Sequence, residues 1–171
     1  MRIVIITWVS WSWKTTLQES LLKKGWKRPI NFTTRKPRNE NEVDEYVFLN
    51  KEQFVKKLIN WDFLEFTQYN WNFYGVSNTL TEDANYCIIL DPIWRAQVMN
   101  TLSYKGISYE TFYIDIDPEE QLKRLRKRGD TEEQIKLRLN DFKWFHPTPG
   151  CVLLNWETKV ETNVSCIINN K

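Results

Sequence analysis

The chain has 171 residues, enough for one domain with a sizeable core and too few for two comfortable ones. Lys+Arg 24 against Asp+Glu 22 leaves a net charge of +2, so no bulk charge recommends nucleic acid or an anionic membrane as partner. A single histidine, His146, excludes any zinc site or triad that needs several.

In chain order, Arg2 to Thr7 is a β-branched run that reads as a buried first strand, too short for a signal peptide. Lys14 to Lys24 carries Leu17, Leu21 and Leu22 at helical spacing. A basic loop, Thr33-Thr34-Arg35-Lys36-Pro37-Arg38, precedes an acidic stretch to Tyr46. Asn50 with Gln53 three residues on resembles a capping box for a helix from Lys51 to Ile59. Phe63 to Tyr69, Phe73 to Val76 and the apolar run Tyr86 to Leu90 read as strands. A helix from Ile93 to Leu102 and a strand from Thr111 to Ile116 follow. Asp117-Pro118 then opens a helix with Asp as N-cap and Pro at its first position, and Gly129-Asp130 breaks it. Thr131 to Trp144 is helical again, and two short strands, Cys151 to Leu154 and Val164 to Ile168, are expected at the end. Strands alternating with helices predict an α/β fold around a parallel sheet. No segment is long and apolar enough to span a bilayer. Cys87, Cys151 and Cys166 form no paired framework and read as core fillers, which fits a reducing cytosol.

One pair of counts is abnormal. Glycine appears 5 times and tryptophan, ordinarily among the rarest residues, 9 times. Three tryptophans fall in Trp8-Val9-Ser10-Trp11-Ser12-Trp13-Lys14-Thr15. With glycine at 8 and 13 this is G-x-x-x-x-G-K-T between a strand and a helix, the context in which a loop's backbone N–H groups cradle phosphates. Asn70-Trp71 and Asn155-Trp156 each lie between strand-like runs, where Asn-Gly is the strongest hairpin signal. Asn60-Trp61 ends a helix, where Gly or Asn in the left-handed conformation is usual. Glycine at 8, 11, 13, 61, 71, 94 and 156 would bring the glycine share to the ordinary ~7 %. It would leave only Trp26 and Trp144, which read as core aromatics. Five glycines remain glycine, so the replacement is partial, as a single codon would behave. A gene in which UGA means glycine explains it; deliberate Gly→Trp engineering would give the same string.

Read that way, the chain resembles the guanylate kinase family over roughly its first 140 residues. The stretch from Ile6 to Leu17 is similar to that family's phosphate loop, I-x-G-x-S-G-S-G-K-S/T-T-L. Thr33 to Arg38 matches T-T-R-x-P-R, and Tyr46-Val47-Phe48 the D-Y-x-F that follows, with Glu45 for Asp. Trp61 to Phe66 resembles G-E-F-[IL]-E-[WF], Asn72 to Gly75 resembles N-Y-Y-G, and Leu90 to Trp94 aligns with I-D-x-Q-G. Arg128-Gly129 resembles the R-G that opens the lid, and Arg138-Leu139 the R-L of the next helix. There are departures: Asn31 stands where the family usually has a guanine-contacting Ser, Val76 where it has Ser or Thr, and Ser77 comes one residue late. The tail after Phe145 matches poorly, apart from Val152 to Asn155 against a V-I-V-N near the adenine.

The resemblance implies a P-loop fold with helices on both faces of the sheet, an acceptor region near 31–76 and a lid near 124–140. It implies ATP-dependent, Mg²⁺-dependent phosphorylation of GMP or dGMP. ATP would be held by Trp8, Val9, Ser10, Trp11, Ser12, Trp13, Lys14, Thr15 and Thr16, with Thr15 and Asp91 toward the metal. GMP would be held by Arg35, Arg38, Tyr46, Glu65, Tyr74 and Asp91, with Arg offering bidentate forks to phosphate. Lys14, Asp91, Arg128 and Arg138 would be catalytic, the lid arginines meeting the charge that spreads in phosphoryl transfer. A cytoplasmic monomer or homodimer acting on small nucleotides, not on nucleic acid, is expected. Two other readings stay open: a non-catalytic guanylate-kinase-like module that binds phosphorylated peptides, and a kinase for another small phosphorylated acceptor.

Overall fold

The computed structural model describes residues 1–8, 14–37, 46–69, 71–90, 92–141, 147, 150–155 and 157–170. Its first strand, β1 (Ile3–Trp8), leads to helix α1 (Lys14–Leu22). Next come β2 (Asn31–Thr33), β3 (Tyr46–Phe48), α2 (Lys51–Ile59), β4 (Phe63–Tyr69) and β5 (Asn72–Ser77). The chain continues through β6 (Tyr86–Leu90), α3 (Pro92–Tyr104), β7 (Glu110–Asp115), α4 (Pro118–Arg128) and α5 (Glu132–Asp141). It ends in β8 (Val152–Asn155) and α6 (Val160–Asn169).

Two four-stranded sheets result, ordered β6-β1-β7-β8 and β3-β2-β5-β4. In the first, every pairing is parallel. Its strands β1 and β6 are apolar almost throughout because both their faces are covered. Val4 and Ile6 pack with Leu17 and Leu21 of α1 and with Val164 and Ile167 of α6. Ile3 and Ile5 pack on the other face with Val98 and Leu102 of α3. The second sheet is mixed, with β2 parallel to β3 and antiparallel to β5. One of its faces is backed by α2 through Phe54, which stacks on Phe63 and Phe73 at 4.7 and 5.4 Å between ring centroids. Gly75 is required by that packing, since a Cβ there would lie 2.8 Å from the Phe63 ring.

The helix caps follow the sequence. Asn50 accepts from the Gln53 N–H at 2.8 Å while the Gln53 side chain accepts from the Asn50 N–H at 2.9 Å. Asp117 accepts from the N–H groups of Glu119 and Glu120, and Gly129, at φ 89°, ends α4.

Three expectations are corrected. Val164 to Ile168 is not a strand but part of α6, whose buried residues Val160, Asn163, Val164 and Ile167 recur at i, i+3, i+4 and i+7. It follows that Asn155-Trp156 begins a strand-to-helix connection, not a hairpin; Trp156 itself lies outside the described residues. Cys87 is buried and fills the core, but Cys151 is half-buried and Cys166 exposed. The short strands β2 and β3 had no clear signal, because three residues are too few to show alternation. The end of the chain is clamped by Arg2, which pairs with Glu110 and donates to the carbonyl oxygens of Ile167 and Ile168 in α6 at 2.7 and 2.8 Å. Trp26 is buried, as expected of a core aromatic, with the Arg2 guanidinium 5.7 Å from its ring. Trp144 lies outside the described residues.

Candidate active site

The second sheet is polar on the face away from α2. Directly paired residues share a face, and two adjacent rows cross all four strands. Tyr46, Asn31, Val76 and Glu65 form one row; Phe48, Thr33, Tyr74 and Thr67 form the next. Glu65, Tyr46 and Tyr74, far apart in sequence, thus stand on one surface. The same register explains Ser77. One residue out of step, it turns to the opposite face and hydrogen-bonds Thr79 at 2.6 Å.

Glu65 is 5 % exposed, and its Oε1 has no hydrogen-bond partner among the described residues. Burial pushes its carboxyl up to about 7. Val76 beside it offers no hydroxyl, so a ligand with hydrogen-bond donors is the natural complement.

Arg35 is positioned by the two threonines before it. Thr33 Oγ1 donates to the Phe73 carbonyl at 3.0 Å and accepts from the Arg35 N–H at 3.1 Å. Thr34 Oγ1 accepts from the Phe73 N–H at 2.8 Å. The loop is therefore pinned to β5, and the Arg35 guanidinium lies 5.8 Å from the Tyr46 ring centroid. Tyr74 stacks on Trp94 of α3, with centroids 6.5 Å apart and planes 17° apart, so the polar face looks toward the start of α3. That helix leaves the carboxyl end of β6, next to the end of β1, where α/β sheets bind ligands.

Lys14, Thr15 and Thr16 open α1, whose first-turn N–H groups favour an anion. Val9, Ser10, Trp11, Ser12, Trp13, Arg38 and Asp91 lie outside the described residues, as do the side chains of Trp8, Lys14, Thr15, Arg128 and Arg138. Arg128 ends α4 and Arg138 lies in α5. The basic run in α4 is partly neutralised by acidic neighbours. Arg124 bonds Glu120 at 2.6 Å and Arg126 bonds Glu132 at 2.9 Å.

One feature escaped the sequence reading, and a second was met there only as the motif Val152 to Asn155. Arg95 is 4 % exposed and donates from Nη1 to Thr7 Oγ1 at 3.5 Å, placing a buried cation beneath the end of β1. Its signal was a charge at i of the apolar stripe Val98–Leu102, spaced i+3 and i+7. The second is a cleft of about 440 Å³ at the carboxyl ends of β7 and β8, lined by Asp117, Pro118, Leu153, Asn155 and Glu157 among others. Its wall is built by Asn155, whose side chain accepts from the Glu157 N–H at 2.7 Å and whose carbonyl accepts from Asn163 at 2.9 Å. Among the described residues no cluster suited to a metal and no helix long and apolar enough to cross a membrane is present.

A parallel sheet, a strand β1 followed by a helix that opens on Lys-Thr-Thr, and a second, mixed sheet make up an α/β fold of the P-loop type. A family model described as guanylate kinase matches residues 1–143, and the chain belongs to that family. It is 35 % identical over 119 residues to a guanylate kinase of Fusobacterium nucleatum, a match covering 66 % of this chain and 63 % of that one. It is 33 % identical over 147 residues to the guanylate kinase of Hydrogenovibrio crunogenus, covering 81 % and 71 %. The crystal structure of guanylate kinase from Anaplasma phagocytophilum superposes with a TM-score of 0.66 at 20 % identity, over 98 % of this chain and 82 % of that one.

Proposed function

We propose that this chain transfers the terminal phosphoryl group of ATP to GMP or dGMP, giving ADP and GDP or dGDP. The observation that carries the reading is Glu65, a buried carboxyl whose Oε1 has no hydrogen-bond partner among the described residues, in one row with Asn31 and Tyr46 and one step from Tyr74. Guanine N1–H and its exocyclic amine are two adjacent donors, which a carboxylate accepts from and which adenine does not offer. Arg35 and Arg38, with Tyr46 and Tyr74, take the monophosphate; this makes 31–76 the acceptor region.

The donor occupies the other half. The N-terminus of α1 and Lys14 hold its phosphates, and its base enters the cleft beside Asn155 and Asp117. Thr15, directly after Lys14, and Asp91 would supply the oxygen donors that suit Mg²⁺. When bound, Mg²⁺ neutralises charge shared by the donor's terminal phosphates. Arg128 and Arg138, from the lid near 124–140, meet the charge that spreads over the transferred group. There is little covalent work for the protein. Its contribution is to hold acceptor and donor in line and to keep water out.

A coupled assay on the chain carrying glycine at 8, 11, 13, 61, 71, 94 and 156 tests this. Turnover of GMP with ATP and Mg²⁺, and little with AMP, CMP or UMP, is the expected result. Equal turnover of AMP overturns the role of Glu65. GMP binding without turnover overturns the kinase reading in favour of a binding module.

A further inference from the structure

Two turns have a backbone that does not suit the side chain they carry. Among the described residues, positive φ occurs at Gly25, Gly106, Gly129 and Gly150, and otherwise only at Trp61 (58°) and Trp71 (64°). A bulky residue in that region is an outlier.

Both positions belong to turns that demand it. Past the end of α2, the Trp61 N–H donates to the Leu58 carbonyl at 3.1 Å and the Asp62 N–H to the Lys57 carbonyl at 3.1 Å. That pair of bonds is the Schellman closure, in which the residue after the C-cap is left-handed and usually glycine. Trp71 lies in the connection between Tyr69 and Asn72, which face each other in register across the β4–β5 hairpin and leave room for two residues. Such a loop matches the strand twist when both central residues have positive φ, hence the preference for Asn-Gly.

Among the described residues, no packing of either indole offsets the strain. The two residues are 84 % and 79 % exposed, so neither indole contributes to a core. Trp26 is the contrast, at 7 % exposure inside the main core.

We infer that positions 61 and 71 are glycine in the working protein, the gene's UGA triplets being read there as glycine. The phosphate-loop spacing extends the reading to Trp8, Trp11 and Trp13. Trp26 and Trp144 are true tryptophans and carry the ordinary UGG. This holds whether or not the chain is a kinase.

Peptide mass spectrometry on the protein isolated from its own cells decides it. Glycine at 61 and 71 with tryptophan at 26 is the expected result; tryptophan at 61 and 71 overturns the inference. Glycine there, together with a failed kinase assay, overturns the proposed activity and leaves this inference standing. A second measurement needs only recombinant chains. Trp61→Gly and Trp71→Gly should each lower the unfolding equilibrium constant more than Trp61→Ala and Trp71→Ala do, by roughly fivefold or more, because alanine keeps the strain. At Val55, inside α2 and exposed, the order should reverse, with Val55→Ala more stable than Val55→Gly. Alanine equal to or better than glycine at 61 and 71 would refute the argument from the turns.

Discussion

The two sheets solve opposite problems. The parallel sheet is covered on both faces, with β1 sending Val4 and Ile6 one way and Ile3 and Ile5 the other. The second sheet is covered on one face by an aromatic cluster under α2, and on the other only in part, where Val76 and Tyr74 meet residues of α3. Its other face keeps tyrosines, Asn31 and a carboxyl that burial holds partly protonated near neutrality. Full burial on two sides makes a scaffold; partial cover on the second side leaves polar groups for chemistry. Stability and recognition should therefore separate, and substitutions in the second sheet show how far.

The largest effect is expected at Phe54. It is 1 % exposed and stacks between Phe63 and Phe73, so Phe54→Ala leaves a cavity and should cost about 3–5 kcal/mol. Urea unfolding measures it, and the loss of GMP affinity should accompany it because α2 backs the whole polar face. A cost below about 1 kcal/mol would mean that the second sheet stands without its backing.

Much of this division was legible beforehand. The continuous apolar runs at Ile3 and Tyr86, the capping box at Asn50 and the Asp117-Pro118 start each carry a local signal that the folded chain obeys. The assembly of the polar face was not legible from local pattern. Whether Glu65 shares a face with Tyr46 depends on register through β2 and β5, which is set by long-range pairing. Family motifs named these residues, but only the register shows that Ser77 turns away while Val76 does not. The last helix was misread for a related reason. Continuity of Val164 to Ile168 was weighed above the i, i+4, i+7 spacing of Val160, Val164 and Ile167, and the carbonyl clamp from Arg2 gives no sequence signal.

Glu65 offers a sharper test, through pH. Its folded pKa, about 7, lies above the value of 4.5 it has when exposed. The folded state therefore binds the extra proton, so the group's contribution is fully present below about pH 4.5 and is lost as pH rises through about 7. Glu65→Gln removes that slope and should make the nucleotide-free protein more stable at pH 8 by up to about 3 kcal/mol, with little gain at pH 4. Urea midpoints at the two pH values read the difference. GMP binding should show the opposite sign in the parent chain. A carboxylate accepts from two donors, so affinity should increase as pH rises from 6 to 8, and Glu65→Gln should lose both affinity and slope. A pH-independent GMP affinity in the parent would detach Glu65 from the base.

The smallest effects compare two caps. Asn50 caps α2 behind the second sheet, while Asp117 caps α4 at the mouth of the cleft beside β8. Each side chain satisfies N–H groups that a helix start leaves open, so Asn50→Ala and Asp117→Ala should each cost about 1 kcal/mol. Their functional consequences should differ. Asp117 lines the cleft assigned to the donor base, so its loss should also raise the KM for ATP and leave the KM for GMP unchanged. Asn50 lies on an exposed end of α2, in neither row of the polar face nor the lining of the cleft, and Asn50→Ala should change stability alone. Both KM values are to be measured on the glycine-carrying chain at a temperature where each variant is fully folded. If Asn50→Ala shifts the KM for ATP as much as Asp117→Ala does, the cleft at β7 and β8 is not where the donor sits.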